Sequence, residues 1–304
     1  MDKEFHYYIT YLAAIAAGQP QENAYKIAYS SQLVDDNNCD IVIKFRNKYY
    51  HNILTQTYDP THSKAEHIWQ SLHFIPGCKG RSNRVDRAID RRLVTPNNKI
   101  AKIFLQFALN SGNPYMIGIA AHGYADSWAH QNFIGSFSAL NILDNEPNYL
   151  LNHFGHMDAL DWPDLVNLKW QDNRLKLSEI SNKGRFLEAA SALYSVFRNG
   201  KRRLNKADFI KSLDDLIGSE ITIDEIFYAK SAARARVERY MEFAYKLSGE
   251  RMEEYRVDHW LRSSSYNRFG KFYGRDNFLK SDYYAFNVAA KKYLNFTAKV
   301  LRSV

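Results

Sequence analysis

The segment that most constrains the fold is a helix pattern running from Asn113 to Phe133, because it is apolar on nearly every side. Asn113 followed by Pro114 is typical of a helix start, with a capping amide and a proline at the first helical position. A helix that lacks a polar face belongs in the centre of a protein. We therefore predict a buried central helix here.

Three side chains that can bind a metal interrupt this apolar helix, namely His122, Asp126 and His130. Successive members are four residues apart, and each step of four turns a side chain by only about 40°, so all three project from one face. Burying such groups costs free energy unless they find strong partners. A hydrogen-bonded structural trio is one interpretation of the pattern, and a metal site is the other.

The spacing within the trio favours two ions over one. His122 and His130 are roughly 12 Å apart along the helix axis, whereas zinc–nitrogen bonds are about 2.0–2.1 Å long. One ion would need strained geometry to bind both rings. Asp126 lies between them and can bridge two ions, because a carboxylate offers two oxygens.

Further candidate ligands lie on both sides of this helix, and nine of the ten histidines occur at or before His156. The candidates are His6, the pair Asp35 and Asp36 at a helix end, His73 shortly before a proline, and the neighbours His153 and His156, which several aspartates follow. Each taken alone also fits a structural role, such as a helix stop or a turn.

Composition limits the class of protein. With 45% apolar residues the chain is not disordered, and no apolar run approaches the ~20 residues of a membrane span. The net charge of +8 belongs wholly to residues 198–304, which we interpret mainly as a solvated helix surface. Cys39 and Cys78 lack the CxxC spacing of a thiolate zinc site, and we expect two buried free thiols.

Helix start and stop signals recur along most of the chain. Patterns with capping residues and terminal glycines predict helices at 2–18, 20–36, 98–110, 185–198, 205–217, 223–248 and 276–302. Residues 38–62 are predicted as loop or short strand. We find no internal repeat and no linker, so we predict an all-α fold in a single multi-helix domain, 1–304. It has a metal-site half at 1–165 and a basic helical half at 166–304.

Four motifs together resemble a bacterial family of unknown function: FHYY at 5–8, IAYSSQLVDD at 27–36, HFIPG at 73–77 and AHGYADSWAHQNF at 121–133. That family is more distantly similar to the superfamily of zinc-dependent phospholipase C and single-strand nucleases. The resemblance implies an all-α fold around a buried metal-binding helix, with three zinc ions in a cleft and phosphoester hydrolysis as the activity.

Carried over residue by residue, the resemblance implies three ion sites. One would use an aspartate of the 35–36 pair with His73, His122 and Asp126. A second would use His130 with His153 or His156, and a third His6 with Asp126. The superfamily also uses a processed N-terminal amine as a ligand, for which Asp2 could substitute here. The superfamily's final His-x3-acid pair has no match here, because Met157 and Leu160 stand at the corresponding positions.

The leading hypothesis is therefore a zinc-dependent phosphoester hydrolase with two to three ions, in which Asp35 or Asp36, whichever is not a ligand, acts as the general base. The substrate could be a phospholipid, a nucleic acid or a small molecule. The alternative from another class is a metal-stabilised helical scaffold or interaction protein with a non-catalytic site. A nucleic-acid-binding protein driven by its charge ranks last. Because we find no signal peptide, we expect a cytoplasmic location.

Overall fold

The structure is a computed structural model that describes residues 1–59, 61–77, 83–143 and 153–303, and only the backbone of 227–231. The helices are α1 (Thr10–Ala16), α2 (Gln21–Asp36), α3 (Ala65–Leu72), α4 (Lys99–Asn110), α5 (Pro114–Ala129), α6 (Asn182–Val196), α7 (Lys206–Ile217), α8 (Ile226–Ser248), α9 (His259–Ser264) and α10 (Asp282–Arg302). The strands are β1 (Val42–Phe45), β2 (Lys48–His51), β3 (Lys169–Gln171), β4 (Glu179–Ser181), β5 (Ser265–Arg268) and β6 (Lys271–Gly274).

The predicted all-α fold is wrong, because the structure contains two β-sheets as well as the helices. Strands β3 and β4 form a two-stranded antiparallel sheet, and the other four strands form a sheet in the order β2-β1-β6-β5. Strand β1 pairs with β6 in parallel, so this sheet joins an early segment of the chain to a late one. The protein therefore has a mixed α and β architecture.

Helix α5 is the central helix that its sequence predicts. The Asn113 side chain accepts hydrogen bonds from the backbone N–H groups of Tyr115 and Met116, and Pro114 follows at the first helical position. Residues from Gly118 to Ala129 are buried on all sides of the helix. Helices α2, α3, α4, α6 and α10 all pack on α5.

Two glycines let neighbouring backbones approach α5 closely. A Cβ atom built on Gly118 would lie 2.2 Å from the carbonyl oxygen of Ile27 in α2, and one on Gly123 would lie 2.5 Å from that of Leu72 in α3. Neither separation tolerates a side chain. Because Leu72 directly precedes His73, Gly123 determines how close His73 comes to α5.

A buried π-helical turn, Glu4–Ile9, leads into α1. The Asp2 side chain accepts a hydrogen bond from the Glu4 backbone N–H at 3.0 Å, so Asp2 caps this turn. The Glu4 carboxylate forms a buried two-point ion pair with Arg236 of α8, at 2.6 and 2.8 Å. These contacts fix the turn and with it His6, which is fully buried.

The inner face of the four-stranded sheet covers α10 and the turn before it. Ile43, Tyr50 and Phe272 lie opposite one another in neighbouring strands and therefore share this face. The Tyr50 ring lies 5.2 Å from Phe278 and 5.7 Å from Tyr284. The β5–β6 hairpin turns at Phe269 and Gly270, both with positive φ as a type I′ turn requires.

The structure also bears on the predicted burial of the two cysteines and on the predicted absence of a membrane span. Cys39 is exposed, so its predicted burial is wrong, whereas Cys78 lies outside the described residues. Among the described helices we find none with both the length and the apolar character that crossing a bilayer requires.

Candidate metal centre

Five segments of the chain bring histidines and aspartates together beside α5. The π-helical turn contributes His6, the end of α2 contributes Asp35, and the residue after α3 is His73. Helix α5 and the residue that follows it supply His122, Asp126 and His130. The fifth segment is a pair of tight turns between His156 and Asp164. Three groups of side chains within this cluster could each hold a metal ion.

The first group surrounds the middle of α5. His73 Nδ1 lies 3.1 Å from His122 Nε2, and these two atoms lie 3.6 and 3.2 Å from Asp126 Oδ2. The Asp35 carboxylate approaches the same two nitrogens at 3.6 and 3.5 Å. His73, His122 and Asp126 thus form one candidate group, and Asp35 lies within 3.6 Å of both of its histidine nitrogens.

The second group lies at the C-terminal end of α5 and consists of His130, His156 and Asp164. His130 Nε2 is 2.9 Å from Asp164 Oδ1, and His156 Nε2 is 3.2 Å from Asp164 Oδ2. His130 also approaches Asp126 Oδ2 at 3.7 Å through its other nitrogen. Asp164 supplies the acid that no helical spacing after His153 or His156 provides.

The third group is His6, Asp35 and His122. The His6 ring stacks on His122 with the ring centres 3.8 Å apart, and its Nε2 lies 3.1 Å from Asp126 Oδ1. Asp126 therefore contacts histidines of all three groups.

Backbone carbonyl oxygens orient four of the histidine rings. Each ring donates a hydrogen bond from one nitrogen to a backbone carbonyl oxygen. His73 Nε2 donates to Thr55 at 2.9 Å and His122 Nδ1 to Ser31 at 2.8 Å. His130 Nδ1 donates to His73 and His156 Nδ1 to Leu160, both at 2.8 Å. Since a carbonyl only accepts, each of these nitrogens carries the hydrogen. The lone pair of each neutral ring is then on the nitrogen that faces the cluster, which is the tautomer that metal ligation requires.

Burial and charge set the protonation of the cluster. Burial lowers the pKa of His6 to about 4, and it also lowers the pKa of His122 and His130. Burial alone would raise the pKa of Asp126 and of Asp164, but nearby positive charge lowers both well below the usual range. Neutral imidazoles and ionised carboxylates are the forms that bind a metal ion.

The pKa values of Asp35 and His156 both rise, in contrast to those of the other carboxylates and histidines described above. Burial, followed by repulsion from Asp126, raises the pKa of Asp35 well above that of an ordinary aspartate. Burial lowers the pKa of His156, but attraction to Asp164 outweighs it and the net shift is upward. Asp35 thus holds a proton more tightly than the other two carboxylates.

The α-ammonium of Met1 lies between two carboxylates of the cluster. Its nitrogen is 2.6 Å from Asp126 Oδ1 and 2.8 Å from Asp164 Oδ1. Burial lowers its pKa, but the carboxylates outweigh that effect and raise the pKa to about 11. A buried cation at this point shows that the cluster stabilises positive charge.

Two predicted ligands lie apart from the three groups. The Asp36 carboxylate accepts hydrogen bonds from Tyr255 Oη at 2.7 Å and Gln32 Nε2 at 3.0 Å. His153 contacts Asp158 at 3.1 Å. Sequence reasoning proposed no ligand role for Asp164 or for the Met1 nitrogen. The acid series after His156 was the signal for Asp164, but spacing could not select it among its neighbours.

The cluster opens into a cavity of about 600 Å³. Its lining combines the ionisable side chains of Asp35, His73, Asp126, His130, His156 and Asp164 with the apolar side chains of Trp69, Phe74, Phe154, Met157, Leu160 and Leu165. The Asp35 carboxylate is 25% exposed, whereas the Asp126 carboxylate is 1% exposed. Asp35 is therefore within reach of a molecule in the cavity.

The chain belongs to a family of unknown function, DUF6765, whose model matches residues 1–301. No curated protein and no solved structure matches it. The family thus covers nearly the whole chain, including every residue of the cluster, and assigns it no activity.

Proposed function

We propose that this protein is a metal-dependent hydrolase of phosphoesters that uses zinc and binds two to three ions. The observation that carries the proposal is the convergence of His6, His73, His122 and His130 on Asp126, at 3.1–3.7 Å. Backbone carbonyls orient three of these rings with a lone pair toward the cluster. A purely structural hydrogen-bond network does not require so many acceptor atoms to lie this close together.

The donor atoms fit zinc better than calcium or magnesium. Imidazole nitrogen combined with carboxylate oxygen is a common zinc donor set, whereas calcium and magnesium prefer oxygen alone. His130, His156 and Asp164 form a three-ligand group, and catalytic zinc sites typically have three protein ligands with a fourth position for water. The second group is therefore suited to chemistry as well as to structure.

In this proposal the bound ions supply positive charge that polarises a phosphoryl oxygen and lowers the pKa of water. Asp126 lies between the groups, within 3.7 Å of a nitrogen of each of four histidines. Asp35 is the proposed general base, because its carboxylate is partly exposed to the cavity and can reach a water molecule there. Asp36 is a weaker candidate, because Tyr255 and Gln32 occupy its carboxylate.

The cavity favours a substrate with a charged ester and an apolar portion. Ionisable groups of the cluster and the aromatic rings of Trp69, Phe74 and Phe154 line the same cavity. The proposal covers phosphoesters as a class: phospholipids, nucleic acids and small molecules each present the same group to the cluster.

Elemental analysis of untagged protein is the first test. We expect two to three zinc per chain, and protein without any bound metal after purification in zinc-containing buffer would overturn the proposal. The second test is a panel of phosphodiesters, phospholipids and single-stranded DNA and RNA. We expect turnover of at least one member, abolished in Asp126→Asn.

The alternative is a metal-stabilised scaffold, which predicts the same metal content but no turnover. His156→Gln and the matched control His153→Gln separate the two functions. For a hydrolase, loss of His156 removes activity, while loss of His153, which lies outside the three groups, leaves most of it. For a scaffold, chelation lowers the melting temperature and no substrate in the panel is turned over.

A further inference from the structure

The outer face of the four-stranded sheet presents a row of aromatic side chains that the metal centre does not use. Tyr49, Lys44, Tyr273 and Tyr266 stand directly opposite one another in β2, β1, β6 and β5. Directly opposed residues project from the same face of a sheet. Neighbouring strands are about 4.8 Å apart, so the row spans roughly 14 Å.

The same face is strongly basic. Residues 41–51 and 259–275 contain no aspartate or glutamate, yet they carry seven of the arginines and lysines. Arg262 pairs with Asp258. The structure shows no carboxylate partner, within its described residues, for the other six. Four of these lie on the outer face: Lys44, Arg268 and Lys271 by strand register, and Arg275 beside Tyr266. Lys48 opposes Phe45 on the inner face, and the Arg46 guanidinium lies 5.3 Å from the centre of the Phe45 ring.

The aromatic rings on this face are held in place yet remain accessible. Tyr266 and Tyr273 are stacked with their centres 5.5 Å apart, and the Arg275 guanidinium lies 5.9 Å from the centre of the Tyr266 ring. Tyr49 is 65% exposed and Phe269, at the hairpin tip, is 91% exposed. Exposed aromatic rings that are ordered by cations are ready to stack on a planar ligand.

We propose that this face, defined by Tyr49, Tyr266, Tyr273 and the cations Lys44, Arg268, Lys271 and Arg275, binds single-stranded nucleic acid. Aromatic rings in a row stack on unpaired bases, while a surrounding set of cations follows the phosphates. The bases of a duplex are already stacked on each other, so their faces are not accessible to the tyrosine rings. An anionic membrane is the competing partner, but it requires several protruding apolar side chains, and Phe269 is the one large apolar side chain at the hairpin tip.

The direct test is fluorescence anisotropy with a labelled oligothymidylate or oligouridylate of about 16 nucleotides, the upper range for one such surface. EDTA in the buffer prevents hydrolysis and removes bound metal. We expect saturable binding, a preference of at least about tenfold for the single strand over its duplex, and an affinity that falls as salt rises. The absence of binding at low salt would overturn the proposal.

Substitutions on the face separate stacking from charge. Tyr49→Ala and Tyr266→Ala are each expected to weaken binding by about tenfold. Lys44→Gln with Lys271→Gln is expected to reduce the salt dependence, by about 0.7 in the slope of log affinity against log salt for each lost phosphate contact. The matched controls Tyr245→Ala and Lys246→Gln are exposed positions on α8, outside the sheet, and should bind as the wild type does.

Two outcomes would contradict the proposal in different ways. If the face variants and the α8 controls bind the oligonucleotide equally, the binding surface lies elsewhere. If oligonucleotide does not bind but vesicles of phosphatidylcholine and phosphatidylserine do, and Phe269→Ala abolishes it, the face binds membranes. Neither result depends on the metal centre, because Asp126→Asn should bind the oligonucleotide normally.

Discussion

The cluster around Asp126 and the outer face of the four-stranded sheet are both assembled from distant segments, but under opposite constraints. In the cluster, the ionisable groups are buried or half-buried, and each carboxylate lies within 4.0 Å of at least one histidine nitrogen. On the outer face of the sheet, the strand register sets the spacing of the side chains. Four cations there have no carboxylate partner in the described structure. The geometry of the cluster therefore depends on backbone packing, whereas the geometry of the sheet face depends on strand pairing. We expect substitutions to affect the two regions differently.

The largest expected effect is that of Asp126→Asn on the cluster. The substitution preserves shape but removes a charge that lies within 3.7 Å of four histidines. We expect loss of bound zinc and a fall in phosphodiester turnover of at least about 100-fold. Elemental analysis and steady-state kinetics measure both. Asp36→Asn is the matched control, and an equal loss in that variant would show that the effect is not specific to the cluster.

Backbone packing near the cluster gives the next largest effect. Gly123→Ala places a Cβ 2.5 Å from the Leu72 carbonyl oxygen, so α3 must move away and carry His73 with it. We expect the free energy of unfolding in urea to fall by about 1–3 kcal/mol and the zinc content to fall with it. Gly184→Ala, in α6, meets only Ser181 Oγ at 3.3 Å and should be neutral or stabilising. Equal stability of the two variants would contradict the close approach.

Acid should destabilise the metal-free cluster through its buried histidines. The pKa of His6 is about 4 in the folded protein and about 6.5 when unfolded, so the unfolded chain binds more protons between these values. The stability from neutral His6 is therefore present above pH 6.5 and lost as pH falls toward 4. Urea unfolding in chelator should show a decrease of about 2 kcal/mol from His6 between pH 7 and pH 5. A His6→Gln variant with the same pH dependence as wild type would contradict this assignment.

The smallest expected effect concerns the sheet face. Lys44→Gln and Lys271→Gln remove exposed charges without buried partners, so we expect changes in unfolding free energy within about 0.5 kcal/mol. The zinc content should equal that of the wild type. A larger loss of stability would show that these cations support the fold. It would contradict the expectation that substitutions on the sheet face leave the stability unchanged.

The buried helix was the part of the fold most open to prediction. Its cap, its apolar character and the spacing of His122, Asp126 and His130 are all local in sequence, and local signals are sufficient to define a helix. The convergence of His6 and His73 on the same site was expected only through the family resemblance, because no local pattern links these positions.

The sheets were missed for a physical reason. Each strand has only three or four residues, too few for an alternating pattern to stand out, and β5 and β6 are rich in polar and aromatic residues. Strand β1 is stabilised by pairing with β6, a partner that its own sequence does not reveal. The basic excess of residues 198–304 predicts a solvated helix surface, but two of its cations, Arg268 and Lys271, lie on strands.

Asp164 was missed because it is positioned by a turn. A helical pair predicts an acid three or four residues after a histidine, but Asp164 follows His156 through two short 3₁₀ turns. Leu160, with a positive φ of 51° and a ψ of −133°, reverses the chain between these turns, and the Asp164 carboxylate lies 2.9 Å from His130 Nε2. Such a reversal has no signature in the spacing of ligands.

The parallel pairing of Ile43 with Phe272 also orders events during synthesis. A nascent chain completes α1, α2 and α5 long before β6 leaves the ribosome, so the metal-binding half can begin to fold while one edge of β1 is still unpaired. Contacts of such long sequence separation slow folding, and an exposed strand edge invites pairing with other chains. The last strands therefore act as a closing step that protects the first hairpin from aggregation.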